Sequence, residues 1–76
     1  MTYELYENGY IIGTKYVKYA IRKVSKNPGE CRTYVVHTDG TTKTLKGLWD
    51  CTSGGGKFKR YLKSTEAEEM LFMEMI

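Results

Sequence analysis

Seventy-six residues, 41% of them hydrophobic and 28% charged, make one small domain with too little chain to wall a substrate cleft unaided. The net charge of +3 hides a division: residues 1–64 carry all twelve Lys and Arg against five acids, giving +7, and residues 65–76 carry four Glu and no base, giving −4. An enzyme is therefore not expected, and neither is a cofactor; a binding protein with a charged, aromatic surface is.

Residues 2–7 lead into Asn8-Gly9 and then residues 10–14. Asn-Gly between β-prone runs is a strong hairpin signal, because a type I′ turn needs positive φ at both central residues. That turn would set Leu5 opposite Ile12 and Tyr6 opposite Ile11. Residues 15–26 fit two periods. Val17, Ala20, Ile21 and Val24 stand at helical spacing, whereas Val17, Tyr19 and Ile21 alternate with Lys18, Ala20 and Arg22 as in a strand. Lys15 and Lys18 would sit at the positive end of a helix dipole, and Tyr, Val and Ile abound, so the strand is favoured. Asn27-Pro28-Gly29 then suits a type II turn.

Residues 31–38 read as a strand, with Thr33, Val35 and His37 on one face and Arg32, Tyr34 and Val36 on the other. Asp39-Gly40 closes a tight hairpin into residues 41–46. Residues 47–56 form a loop ending in three glycines, which lose much backbone entropy on ordering and so mark a mobile connector. Residues 57–62 read as a last strand that alternates Phe58, Arg60 and Leu62 with Lys59 and Tyr61. Residues 65–76 are a helix, opened by a Thr65–Glu68 capping box, with Glu66, Glu68 and Glu69 near its positive end.

The expected fold is α+β: an antiparallel sheet of four or five strands joined by hairpins, with one C-terminal helix packed on one face. Sequence neighbours should be sheet neighbours. The rival arrangement replaces the third strand by a helix.

Two segments alternate cations with rings: Lys15, Tyr16, Lys18, Tyr19, Arg22 and Lys23, and then Lys57, Phe58, Lys59, Arg60, Tyr61 and Lys63. With Trp49 as a further anchor, they predict a partner-binding face, since Tyr, Trp and Arg dominate interface hot spots. The plain alternative is that the rings fill the core and the lysines solvate the sheet. A larger protein or nucleoprotein is the expected partner. Sequence-tolerant binding of single-stranded nucleic acid is the alternative, because cations track phosphates and rings stack on bases. Met70, Phe72, Met73, Met75 and Ile76 make the helix end apolar on several sides, which predicts self-association in a homodimer.

Gly54-Gly55-Gly56-Lys57 lacks the spacing of a phosphate loop, with Cys51 and Phe58 where Gly and Ser or Thr are needed. Cys31 and Cys51 stand too far apart for a structural zinc pattern and too few for a disulfide framework, so no metal site is expected and both read as free thiols. A catalytic set drawn from Cys31, His37 and Cys51 rests on residue types alone. No apolar run is long enough to span a membrane. Residues 1–13 lack the pattern of a secretion signal, and a cytoplasmic protein is expected. In size and texture the chain is similar to small accessory proteins of phages and mobile elements, including inhibitors and adaptors, although no motif carries that likeness.

Overall fold

The computed structural model describes residues 2–10 and 15–75, with Tyr10 and Met75 described for their backbone alone. Five strands and one helix follow in chain order: β1 (Thr2–Tyr10), β2 (Tyr16–Val24), β3 (Arg32–His37), β4 (Thr42–Lys46), β5 (Lys57–Leu62) and α1 (Ser64–Met75). The strands form one antiparallel sheet in the order β4-β3-β2-β1-β5. The expected α+β architecture is the one observed, and the ambiguous third segment is a strand.

The first hairpin is not where Asn8-Gly9 pointed. Both residues have positive φ, 56° and 136°, yet β1 runs through them and keeps pairing with β2 as far as Tyr10 opposite Tyr16. Leu5 faces Ile21 and Arg60, and Tyr6 faces Ala20 and Phe58. Residues 11–14, which were to supply the partner strand, lie outside the described residues. The left-handed backbone serves a close approach instead: a Cβ on Gly9 would stand 2.8 Å from the Gly55 carbonyl carbon and the Gly56 Cα.

Nor is β5 a neighbour of β4 in the sheet, although it follows β4 in the chain. It pairs with β1 at the opposite edge of the sheet, so residues 47–56 must cross one whole face. They do so in contact with it. Thr33 Oγ1 donates to the Gly47 carbonyl at 3.3 Å and accepts from the Trp49 N–H at 3.4 Å. Cys51 is fully buried in a cluster with Tyr6, Val17, Ala20, Val35 and Leu45. Gly56 is wedged against the Cys51 and Asn8 carbonyls, so the glycine run is a seated strap at that point and not a free connector.

The opposite face is covered by α1. Ala67 packs on Tyr3, Leu5, Ile21 and Leu62, and Tyr19, Tyr34, Met70 and Leu71 border the cluster. Being covered on both sides explains why the adjacent Ala20 and Ile21 are both 0% exposed, a pattern that period-two alternation alone does not produce.

Two bulges reset the alternation. In β2 the register with β3 shifts between Val17 and Tyr19, which puts Val17 on the crossing side with Ala20, while Tyr19 and Ile21 face the helix. In β5 the register with β1 shifts across Lys59, so Phe58 and Tyr61 share one side and Arg60 and Leu62 the other. The expected simple alternation fails at both places.

Pro28–Glu30 is a short 3₁₀ turn and not a type II turn. The Asn27 side chain accepts the Gly29 N–H at 3.1 Å and caps it. At α1 the Ala67 N–H bonds to the Lys63 carbonyl at 2.9 Å, which makes Lys63 the cap. Thr65 thus lies inside the first turn, two residues too late to head the expected capping box. The Asp39-Gly40 hairpin is as expected, with Gly40 at φ 88° and its N–H on the His37 carbonyl at 3.0 Å.

Candidate binding surface

The bulge in β5 sorts its side chains by chemistry. Lys57 pairs in register with Glu7, which lies opposite Tyr19, and Arg60 pairs with Leu5, so both project toward the helix side. Lys59 reaches the same side, with its Nζ 3.4 Å from Glu7. Phe58 and Tyr61 project to the crossing side, opposite Tyr6 and Glu4.

There the rings form a chain that runs outward from the core. The Arg22 guanidinium lies 5.6 Å from the centroid of Tyr6 and donates to its hydroxyl at 3.0 Å. Tyr6 donates in turn to Glu4 at 3.3 Å, and Glu4 stands 3.5 Å from the same Arg22 nitrogen, Nη1, while the buried Arg22 Nε has no hydrogen-bond partner among the described residues. Burial is the main cause that raises the Tyr6 phenol above its ordinary pKa. Tyr6 meets Phe58 edge-on at 5.5 Å, and Phe58 meets Tyr61 edge-on at 5.1 Å. Exposure climbs along the chain from 8% at Tyr6 to 46% at Phe58 and 63% at Tyr61. An exposed pair of rings is thereby held rigidly by a buried ring and a clamped guanidinium.

The residues expected to form one basic, tyrosine-rich face do not share a face. Arg22 and Tyr61 are on the crossing side, as is the strap that carries Trp49. Tyr19, Lys23, Lys57, Lys59 and Arg60 are on the helix side. Lys15 and Tyr16 lie at the start of β2, where Lys15 is 3.2 Å from Asp39; Lys18 is exposed at the β2 bulge, and Lys63 is exposed at the joint between β5 and α1. The physical reason is the two-residue period, which sends successive cations and rings to opposite sides unless a bulge intervenes. Tyr19 is half-buried, and its phenol is pushed up to about 12 by burial and by Glu74. The indole of Trp49 is exposed and donates to the Lys46 carbonyl at 3.2 Å.

Tyr6 and Glu4 are the site residues the sequence reading missed. Their place depends on β5 returning to pair with β1, and no local pattern announces that pairing. Of the helix residues expected to self-associate, Met70 is partly committed to the core, Phe72 and Met73 are exposed, and the Met75 side chain and Ile76 lie outside the described residues.

The candidate reactive groups are scattered. Cys31 is buried with its thiol 3.4 Å from the Ser25 carbonyl. Cys51 is buried beneath the strap, and burial pushes its thiol up to about 11, which keeps it protonated and poorly nucleophilic. His37 Nδ1 is 3.1 Å from Thr41 Oγ1, and the Thr41 hydroxyl and N–H both donate to Asp39. Those donors hold the Asp39 carboxyl well below its usual range and lock the β3–β4 turn. Among the described residues no three His, Cys, Asp or Glu side chains converge as metal ligands, and no helix is long and apolar enough to cross a membrane. Comparison with known proteins finds no family model, no curated protein and no solved structure that matches the chain.

Proposed function

We propose that this protein is a non-enzymatic binding module that docks on a larger protein or nucleoprotein, as an inhibitor or adaptor, through the aromatic edge formed by Phe58 and Tyr61. The observation that carries the reading is their exposed edge-to-face pair, braced from below by Tyr6 and Arg22. Ring anchors already held in place lose little conformational entropy on binding, which is the property that makes aromatic hot spots effective.

The geometry favours a protein contact over single-stranded nucleic acid. Successive bases stack on rings with open parallel faces, whereas Phe58 and Tyr61 meet at 64° and the edge of one covers part of the other. The cations of β5 also point to the other side of the sheet from these rings, so phosphate tracking and base stacking are not offered together.

The test is affinity capture from host lysate, with and without nuclease, using the wild type and a Phe58→Ala/Tyr61→Ala variant. A protein that is captured after nuclease treatment and lost with the double variant supports the reading. Capture that disappears with nuclease, or that persists undiminished with the double variant, overturns it.

A further inference from the structure

The helix side of the molecule carries two complementary patches that the docking surface above does not use. The outward stripe of α1 presents Phe72 at 66% and Met73 at 76% exposure, adjacent to each other and therefore a patch, not scattered single residues. An open groove of about 370 Å³ is lined by Phe72 together with Thr65, Glu68 and Glu69. The helix has no basic residue, and among the described residues Glu68 and Glu69 have no ion-pair partner. Next to the helix stands the β5 row, which has no acidic residue, and neither Lys57 within it nor Lys63 just beyond it has an ion-pair partner among the described residues. The two patches abut, because Arg60 of β5 grips Glu66 of α1 through two contacts of 3.0 and 2.7 Å.

We infer that this side is a self-association surface, on which the acidic, apolar stripe of α1 docks against the basic β5 margin of a second copy. Lys57 projects to the helix side of the sheet and Lys63 stands exposed at the joint between β5 and α1, so one twofold axis brings each helix onto the other copy's β5 margin and closes the assembly as a dimer. Phe72 and Met73 are covered at the contact, and Glu68 and Glu69 gain the cations they lack within one copy. A second copy is the fitting occupant because the chain itself supplies both halves of the charge pattern: −4 over residues 65–76 and +7 over residues 1–64.

Charge-swapped variants of the full chain test this, with mass read by sedimentation over a range of concentrations. The wild type is expected at twice the chain mass at high concentration, dissociating on dilution and with added salt. Glu68→Lys/Glu69→Lys and Lys57→Glu/Lys63→Glu should each weaken the dimer by about tenfold or more, the size expected from turning several exposed attractions into repulsions. An equimolar mixture of the two variants should recover the dimer, since each then offers the patch the other lacks. A monomer at every wild-type concentration overturns the inference. So does a dimer indifferent to the lysine reversal, as a contact between the two helices alone would be. The lysine variant alters exposed side chains only, and circular dichroism confirms that it is folded before its mass is interpreted. The surface is separate from Phe58 and Tyr61, so loss of the dimer leaves partner capture intact, and the failure of one proposal does not mimic failure of the other.

Discussion

Ala67 on one side of the sheet and Cys51 on the other are both fully buried, but different kinds of atoms bury them. The helix side is sealed by side chains: Ala67, Met70 and Leu71 lie over Tyr3, Leu5, Ile21 and Leu62. The crossing side is sealed in part by backbone, with Gly56 pressed on the Cys51 and Asn8 carbonyls and Gly9 pressed on Gly55 and Gly56. Side chains shift rotamers to absorb a change; a strap held at both ends by a sheet does not. The two sides should therefore differ sharply in their tolerance of small substitutions.

The largest effect is expected at the strap. Gly56→Ala places a methyl group inside the Cys51 and Asn8 carbonyls, and relief requires the strap to lift. We expect a loss of about 4 kcal/mol in denaturant unfolding, a large part of the stability usual for a domain of this size. Gly40→Ala is the control. That glycine has the positive φ, 88°, that Gly56 lacks, but nothing stands within 4 Å of its added Cβ, so its cost is the backbone penalty alone, about 1–2 kcal/mol. On the helix side, Ile21→Ala removes most of a fully buried side chain, and because side chains around it can close in we expect about 3 kcal/mol. If one methyl group at Gly56 costs no more than one at Gly40, the backbone seal is not what holds the crossing side.

This difference also explains what could be read from the chain. The strands, the Asp39-Gly40 hairpin and the acidic helix were legible because each is written locally, in alternating Val, Ile, Thr and Tyr, in a residue pair suited to positive φ, and in Glu placed at a helix start. Asn8-Gly9 was misread because positive φ serves a turn and a close approach equally well, and only the position of Gly56 decides between them. The aromatic chain from Tyr6 to Tyr61 was invisible for the same reason. It requires β5 to pair with β1 across the 49 positions between Glu7 and Lys57, and a bulge at Lys59 that no residue type signals.

The next prediction concerns pH. Cys51 is pushed from 9.0 to about 11 because the strap removes its thiol from water. The folded state thus holds this proton more tightly than the unfolded chain does. The resulting contribution is fully present below pH 9 and is lost as pH rises from 9 toward 11. At pH 10.5 the loss relative to pH 7 should be about 2 kcal/mol for the wild type, and it should be absent from Cys51→Ala. The comparison between the two proteins removes the lysine and tyrosine titrations common to both. Equal losses with and without the thiol would mean that the strap admits water to Cys51.

The smallest expected change is at the proposed docking edge. Tyr61 is 63% exposed, so truncating it to Ala removes little buried area and we expect a cost of less than about 1 kcal/mol in unfolding; Phe58, 46% exposed and packed edge-on against Tyr6, should cost about 1–2 kcal/mol. Tyr6 beneath them keeps its bonds to Arg22 and Glu4 in both variants, which preserves the floor of the surface. A residue kept for packing and a residue kept for contact differ in this respect: the first loses stability when cut back, and the second loses only its partner. If Phe58→Ala instead costs several kcal/mol, its ring is part of the core's closure at the sheet edge, and the anchor role passes to Tyr61 and Trp49 alone.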